Sequence, residues 1–305
     1  MRGRSVVRAN EELAALERGG PNVKKGINYW SFPGGLDGKY DFAAAVAEAK
    51  RLGYEGIEVC LFPDGPLNIE ISDAEVGKLR RIIEGAGMQA ASVTTGLLWA
   101  NPLTSSDPAK VKAGKHAVTR CLEVANKLGA TGILVVPGAV EIFFDPTAEI
   151  VQYDVAMKRV EEAIKDLAKA AEKNKVAIGI ENVWNKMFMS PLEARDFVDT
   201  IGSEYVGWFF DVGNIVALGF PEQWIRILGK RIKKVHVKDF RKSVGTIDGF
   251  VDLLEGDVNW PEVMKALREV GYDDFLIAEM IPYYTHAPEA RLANTALALS
   301  KIVGM

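Results

Sequence analysis

The chain has 305 residues, of which 48% are hydrophobic and 26% charged, and carries a net charge of −4. That length suits one large barrel or two average domains, with a core too large to need a disulfide or structural metal. The slight acidity, with basic residues scattered among acidic ones, excludes an electrostatic footprint for nucleic acid or an anionic membrane.

Cys60 and Cys121 both fall in apolar patterns and make no disulfide framework, which fits a reducing compartment. No segment reaches membrane-spanning length and the N-terminus lacks a signal-peptide core, so a cytoplasmic protein is expected. Residues 1–22 read as an N-terminal extension closed by Gly19, Gly20 and Pro21, with a short helix over Glu11–Glu17.

From Val23 to the C-terminus one rhythm repeats. Strand-like runs occupy 23–32, 54–62, 88–98, 131–138, 176–182, 206–214, 232–240 and 274–280. Between them lie helical patterns such as Val155–Glu172, with apolar residues three and four apart. Helix starts are marked by Ser72 with Glu75, by Asp107 before Pro108, and by Ser190 with Pro191 and Glu193. Gly53, Gly87, Gly129 and Gly271 mark helix ends. Alternating strands and helices imply a parallel sheet, and eight units imply an α/β fold closed as a (β/α)₈ TIM barrel over 23–305. The rival is a doubly wound open sheet, but no G-x-G-x-x-G or P-loop opens any helix.

Reactive groups of such a barrel sit at the C-terminal ends of its strands. Strand side chains alternate faces, so large apolar neighbours reveal which polar residues point inward. Val176, Ile178 and Ile180 face the helices, which turns Glu181 to the barrel axis. By the same parity Asp211, His236, Lys238 and Glu279 point inward. Three carboxylates converging in a half-buried site repel one another strongly unless a cation joins them, and Lys238 supplies one charge at most. The expectation is one divalent metal on Glu181, Asp211, His236 and Glu279. Mn²⁺ is favoured by the hard oxygen-rich donors, with Co²⁺, Mg²⁺ or Zn²⁺ as alternatives. Only His116, His236 and His286 are present, too few for a histidine-rich multi-zinc nuclease rim.

Four strand ends carry a resemblance: IEN at 180–182, FDVGN at 210–214, KVHVKDF at 234–240 and AEM at 278–280, joined by GDVNW at 256–260. From Val23 onward the chain resembles the xylose-isomerase-like sugar isomerase/epimerase superfamily. The nearest branches are the ketose 3-epimerases, acting on tagatose or psicose, or on L-ribulose or L-xylulose 5-phosphate. The resemblance implies that the same four residues hold the metal, and that Glu181 and Glu279 are also the acid/base pair across the sugar C3. One glutamate would take the C3 proton, leaving an enediolate, and the other would return a proton to the opposite face. The chain departs from free-ketose 3-epimerases at Asn214, where they carry His, and at Met187, where they carry Glu. Both departures lean toward the sugar-phosphate branch.

Position nominates further substrate contacts: Glu58 at the end of the second strand, Asn214, Trp184 and Asn185 after the fifth and sixth, and Lys238 and Arg241 for a hydroxyl or phosphate. Structural roles compete at each: an ion pair for Glu58, packing for Trp184, neutralisation of Asp239 for the two cations. Trp30 and Trp99 stand near the rim, and His286 reads as a lid or surface residue. The expected ligand is a small sugar or sugar phosphate, and the group's habits point to a homodimer or tetramer. Rival readings are an aldose–ketose isomerase or keto-inositol dehydratase on the same scaffold, and a sugar-binding barrel without turnover.

Overall fold

Capping chemistry divides the chain much as its punctuation foretells. Ser72 and Glu75 form a reciprocal capping box at the start of the helix Asp73–Gly85. Asp107 and Ser190 each accept a backbone N–H at the head of a helix that opens with proline. Each such cap is worth about 1 kcal/mol. Gly129 ends its helix at φ +81°, in the left-handed region that glycine enters without strain.

The computed structural model describes residues 23–305, so the extension 1–22 and its expected helix at Glu11–Glu17 lie outside the described residues. Eight parallel strands form the barrel: β1 (Lys24–Asn28), β2 (Gly56–Leu61), β3 (Gln89–Thr95), β4 (Gly132–Val135), β5 (Ala177–Glu181), β6 (Val206–Asp211), β7 (Ile232–Val237) and β8 (Phe275–Ala278). Each strand pairs with its neighbour in sequence, and β8 closes the ring on β1. The helices that follow the strands are α1 (Phe42–Arg51), α2 (Asp73–Gly85), α3 (Pro108–Leu128), α4 (Tyr153–Asn174), α5 (Pro191–Ile201), α6 (Pro221–Leu228), α7 (Trp260–Glu269) and α8 (Pro288–Val303). Among the described residues no helix is long and apolar enough to cross a membrane.

The inside/outside alternation is the one the sequence pattern implies. Ile178, Ile180, Phe210, Val235 and Val237 pack into the large core shared with the helices. A separate small cluster fills the barrel itself, built from Ala91, Leu134, Val136, Phe209, Phe275 and Ile277. Burying an aromatic such as Phe209 contributes roughly 1.5–3 kcal/mol. Gly179 makes room for it, since a Cβ there would stand 2.8 Å from the Phe209 Cβ.

Several of the expected strand runs stop early, and two of those stops shape the site. The 206–214 run ends at Asp211, because its carboxylate caps the one-turn helix Val212–Val216. The 232–240 run breaks after Val237. Asp239–Phe240 then pairs antiparallel with Phe250–Val251, forming a small ribbon over the barrel mouth.

Candidate metal centre and active site

The ends of β5, β6, β7 and β8 bring Glu181, Asp211, His236 and Glu279 into one buried group. One ligand atom from each lies within 4.8 Å of all the others. His236 Nδ1 faces Glu181 Oε1 at 3.5 Å, Asp211 Oδ2 at 3.9 Å and Glu279 Oε1 at 4.0 Å.

The orientation of His236 comes from a residue one layer deeper. Its Nε2–H donates to Glu58 Oε2 at 2.8 Å. Glu58 also accepts from Ser92 Oγ at 2.6 Å and from the Asn28 side-chain amide. Both neighbours are buried, and the β2–β3 register shifts between Ile57 and Glu58, beside this contact. With Nε2 engaged, Nδ1 points into the group of carboxylates, the carboxylate–histidine arrangement that fixes a metal-binding imidazole. The expectation that Glu58 ends β2 and meets a sugar hydroxyl is therefore corrected. It lies in mid-strand, fully buried and outside the cavity wall, and its hydrogen bonds go to Asn28, Ser92 and His236.

Asp211 divides its two oxygens. Oδ1 accepts the Asn214 backbone N–H at 2.8 Å. Oδ2 is left buried without a hydrogen bond, as is His236 Nδ1. The Lys238 ammonium stands 3.2 Å from Asp211 Oδ2, an ion-pair contact, while its hydrogen bond goes to Glu279. Two orphaned buried donor atoms facing one point, completed by two more carboxylates, fit a divalent cation with mixed oxygen and nitrogen ligands.

Charge balance is uneven across the group. Burial, reinforced by the charge of Glu279, raises the Glu181 carboxyl to about 7. Burial also raises Asp211. For Glu279 burial works in the same sense, but Lys238 and His236 beside it hold the carboxyl below its ordinary range. Burial likewise opposes charge on His236, yet Glu58 and Glu279 keep its proton affinity well above normal.

The motifs acquire separate duties here. Gly213 of FDVGN lets Lys238 pass into the site, since a Cβ would meet the Lys238 Cγ at 2.4 Å. Asn214 donates to the Asn182 carbonyl at 2.8 Å, and Asn182 in turn brackets the Asp211 backbone. Asp239 serves neither Lys238 nor Arg241. Its carboxylate accepts from Leu254 N, Val258 N and Trp260 Nε1 at 3.0, 3.2 and 2.9 Å, so it gathers the GDVNW loop.

A cavity of about 640 Å³ opens above the group, with Glu181, Glu279, Lys238, Asn214 and Trp184 in its wall. Trp30 and Trp99 also line it. Asn185 and Arg241 do not. The first is a buried loop brace, bonding the Gly138 carbonyl at 2.7 Å and the Met187 N–H at 3.0 Å. The second is exposed and reaches the Glu255 carbonyl. His286 is exposed outside the wall. Cavity residues that sequence reasoning missed include Phe143, Phe144, Phe250, Asp248 and Arg291. Phe143 and Phe144 sit in the 136–152 loop, which has no periodicity to place them. The adjacent aromatic pair was the one available signal.

Known proteins resemble this chain in sequence and in fold. Residues 46–302 match the family of xylose isomerase-like TIM barrels. A ketose 3-epimerase of Arthrobacter globiformis is 26% identical over 80% of this chain and 79% of its own. A 2-epi-5-epi-valiolone 7-phosphate 2-epimerase of an Actinoplanes species is 26% identical over 67% and 70%. A match at 26% identity to the uncharacterized protein MJ1311 of Methanocaldococcus jannaschii takes in 59% of this chain and spans 60% of that protein's length. In structure, a D-psicose 3-epimerase crystallised with D-fructose superposes with a TM-score of 0.73 at 21% identity, over 93% of this chain and 100% of that one. The curated epimerases in this set are enzymes, and the chain belongs with them to the xylose isomerase-like TIM-barrel family.

Proposed function

We propose that this protein epimerises a keto sugar at the carbon beside its carbonyl, C3 in a 2-ketose. The observation that carries the reading is the pair Glu181 and Glu279. They are two buried carboxylates, at the ends of β5 and β8, that share one cavity wall and so reach the same bound molecule. Two carboxyl groups at one substrate carbon can act as base and acid from its opposite faces. Glu181, Asp211, His236 and Glu279 hold one divalent cation, with Mn²⁺ favoured by three carboxylates and one imidazole. When bound, the cation polarises the sugar carbonyl and so acidifies the neighbouring C–H.

The rest falls to the protein. The ionised Glu279 takes the C3 proton; the C–H electron pair moves into a C2–C3 double bond and the carbonyl oxygen becomes an enediolate oxygen. Glu181 returns a proton to C3 from the other face, and the carbonyl re-forms with C3 inverted. The two glutamates end in exchanged protonation states, which suits a reaction that runs both ways. Lys238, bonded to Glu279, steadies the base in its ionised form. The apolar wall of Trp30, Trp99 and Trp184 keeps water from quenching the intermediate.

The ketose 3-epimerase relative supports this reading. The test is exchange in D₂O: the protein loaded with Mn²⁺ should place deuterium on C3 of a 2-ketose and form the C3 epimer. Label confined to C1 or C2 means an aldose–ketose isomerase instead, and no label on any keto sugar means a barrel that binds without turnover.

A further inference from the structure

Above the carboxylates the cavity wall changes character. The Trp99, Phe144, Phe143, Trp184 and Phe250 rings form a continuous arc around the mouth. Their centroids are 5.1 Å apart from Trp99 to Phe144 and from Phe144 to Phe143, then 6.4 and 5.3 Å onward. Phe143 and Phe144 are 44% and 56% exposed. Aromatic rings left this open beside a polar centre mark a recognition surface rather than a core.

Two further facts narrow what the arc receives. At about 640 Å³ the cavity falls within the roughly 300–1,000 Å³ typical of sites for drug-sized ligands, more than a single hexose needs. Among the described residues Lys238 and Arg291 are the only cations in its wall, and both are committed. Lys238 serves Asp211 and Glu279, and Arg291 binds Asp252 at 2.8 Å and the Pro282 carbonyl. A phosphate would find no free cation to form the charge-assisted bonds it requires. Beside the arc stand Leu36, Ile247, Ile281 and Pro282, so the upper wall offers few partners for the hydroxyls of a second sugar ring.

We propose that the substrate is a keto sugar joined to a flat aromatic group, with the sugar over Glu181 and Glu279 and the aromatic group on the Trp99–Phe144–Phe143–Trp184–Phe250 arc. The sugar half of this assignment rests on the epimerase reading; the aromatic half rests on the arc. It departs from the sugar-phosphate leaning drawn from Asn214 and Met187.

The experiment compares phenyl β-D-glucoside, methyl β-D-glucoside, cellobiose and glucose 6-phosphate as ligands of the Mn²⁺-loaded protein by calorimetry. The 3-keto forms of the two glucosides are then followed for deuterium exchange. Phenyl should bind about tenfold or more tighter than methyl, from buried ring area and ring–ring contact. The doubly substituted protein, Phe143→Ala with Phe144→Ala, should lose most of that ratio while melting as the parent does. Equal affinity for phenyl and methyl, or preference for cellobiose or the phosphate, overturns the proposal. So does a dimer that dissociates in the double variant and shows no phenyl preference, because the arc is then a contact between copies. If phenyl is preferred but no keto sugar exchanges, the aromatic site stands and the epimerase reading fails. If ketoses exchange without a phenyl preference, the reverse holds.

Discussion

Two polar layers cross the inside of this barrel, and they are built on opposite principles. At the N-terminal end Lys234 is buried and paired with Asp274 at 2.7 Å, while Lys24 donates to Gln89 at 2.9 Å. Both lysines also stand over the Phe275 ring. Every charge there has its partner. At the C-terminal end Glu58, Glu181, Asp211 and Glu279 face one lysine and one histidine, and Asp211 Oδ2 and His236 Nδ1 have no hydrogen bond. The lower layer is paired within the fold, whereas the upper keeps two buried atoms without a hydrogen bond in a group that could hold a metal. Incompleteness, more than burial or charge, separates a working site from a structural ion pair on one scaffold.

The sharpest way to break that contrast is to neutralise the upper carboxylates. Glu181→Gln or Glu279→Gln should lower turnover by roughly 10²–10⁴-fold, the usual share of a positioned acid or base, with little change in melting temperature. Steady-state kinetics beside a thermal melt would decide it; an equally large loss of stability would mean the group is structural after all.

Glu58→Gln tests the orienting layer. The amide brings N–H donors against the Asn28 donor and loosens the imidazole, so affinity for Mn²⁺ should drop about 10- to 100-fold. Titration calorimetry reads it directly, and unchanged affinity would remove Glu58 from the metal centre. By contrast Lys234→Met should leave metal affinity intact and reduce stability by about 1–3 kcal/mol, because Asp274 loses its partner yet keeps some access to water. A changed metal affinity there would show that the two layers are coupled.

A smaller effect concerns pH. In the metal-free protein Glu181 keeps its proton up to about pH 7, so proton and cation compete for its carboxylate. Raised proton affinity on Glu181 and on His236 means that protons compete with the cation, so apparent metal affinity should weaken by at least about tenfold per unit below 7 and still rise with pH above it. Affinity flat from pH 5 to 8 would contradict the assignment of Glu181 as a ligand. Least of all should change with Arg241→Ala, whose side chain lies outside both layers. Turnover within about twofold of the parent is expected, as for surface substitutions generally.

How much of this was legible beforehand depends on the range of each contact. The barrel and the inward parity of Asp211, His236 and Glu279 follow from a two-residue period that any short stretch displays. Glu58 is another matter: parity turns it inward, but its partner His236 lies 178 positions away, so closure of the barrel alone reveals the pairing. The role of Asp239 is hidden from the sequence for the same reason, its partners lying in the loop that returns from Leu254 to Trp260. Arg241 looked like a rim cation from spacing, yet the Asp239–Phe240 ribbon carries it outward. The aromatic arc had least to announce it, since Phe143 belongs to a loop without repeat and Trp184 joins it only across the mouth.

The division of labour within Asp211 has one last consequence. One oxygen starts a helical turn and the other faces the metal group, so the two duties can be removed one at a time. Asparagine at this position can still accept the Asn214 N–H while losing the charge a cation needs. Asp211→Asn should therefore yield a folded barrel that no longer takes up metal, an inert twin of the protein against which every ligand in the mouth can be measured.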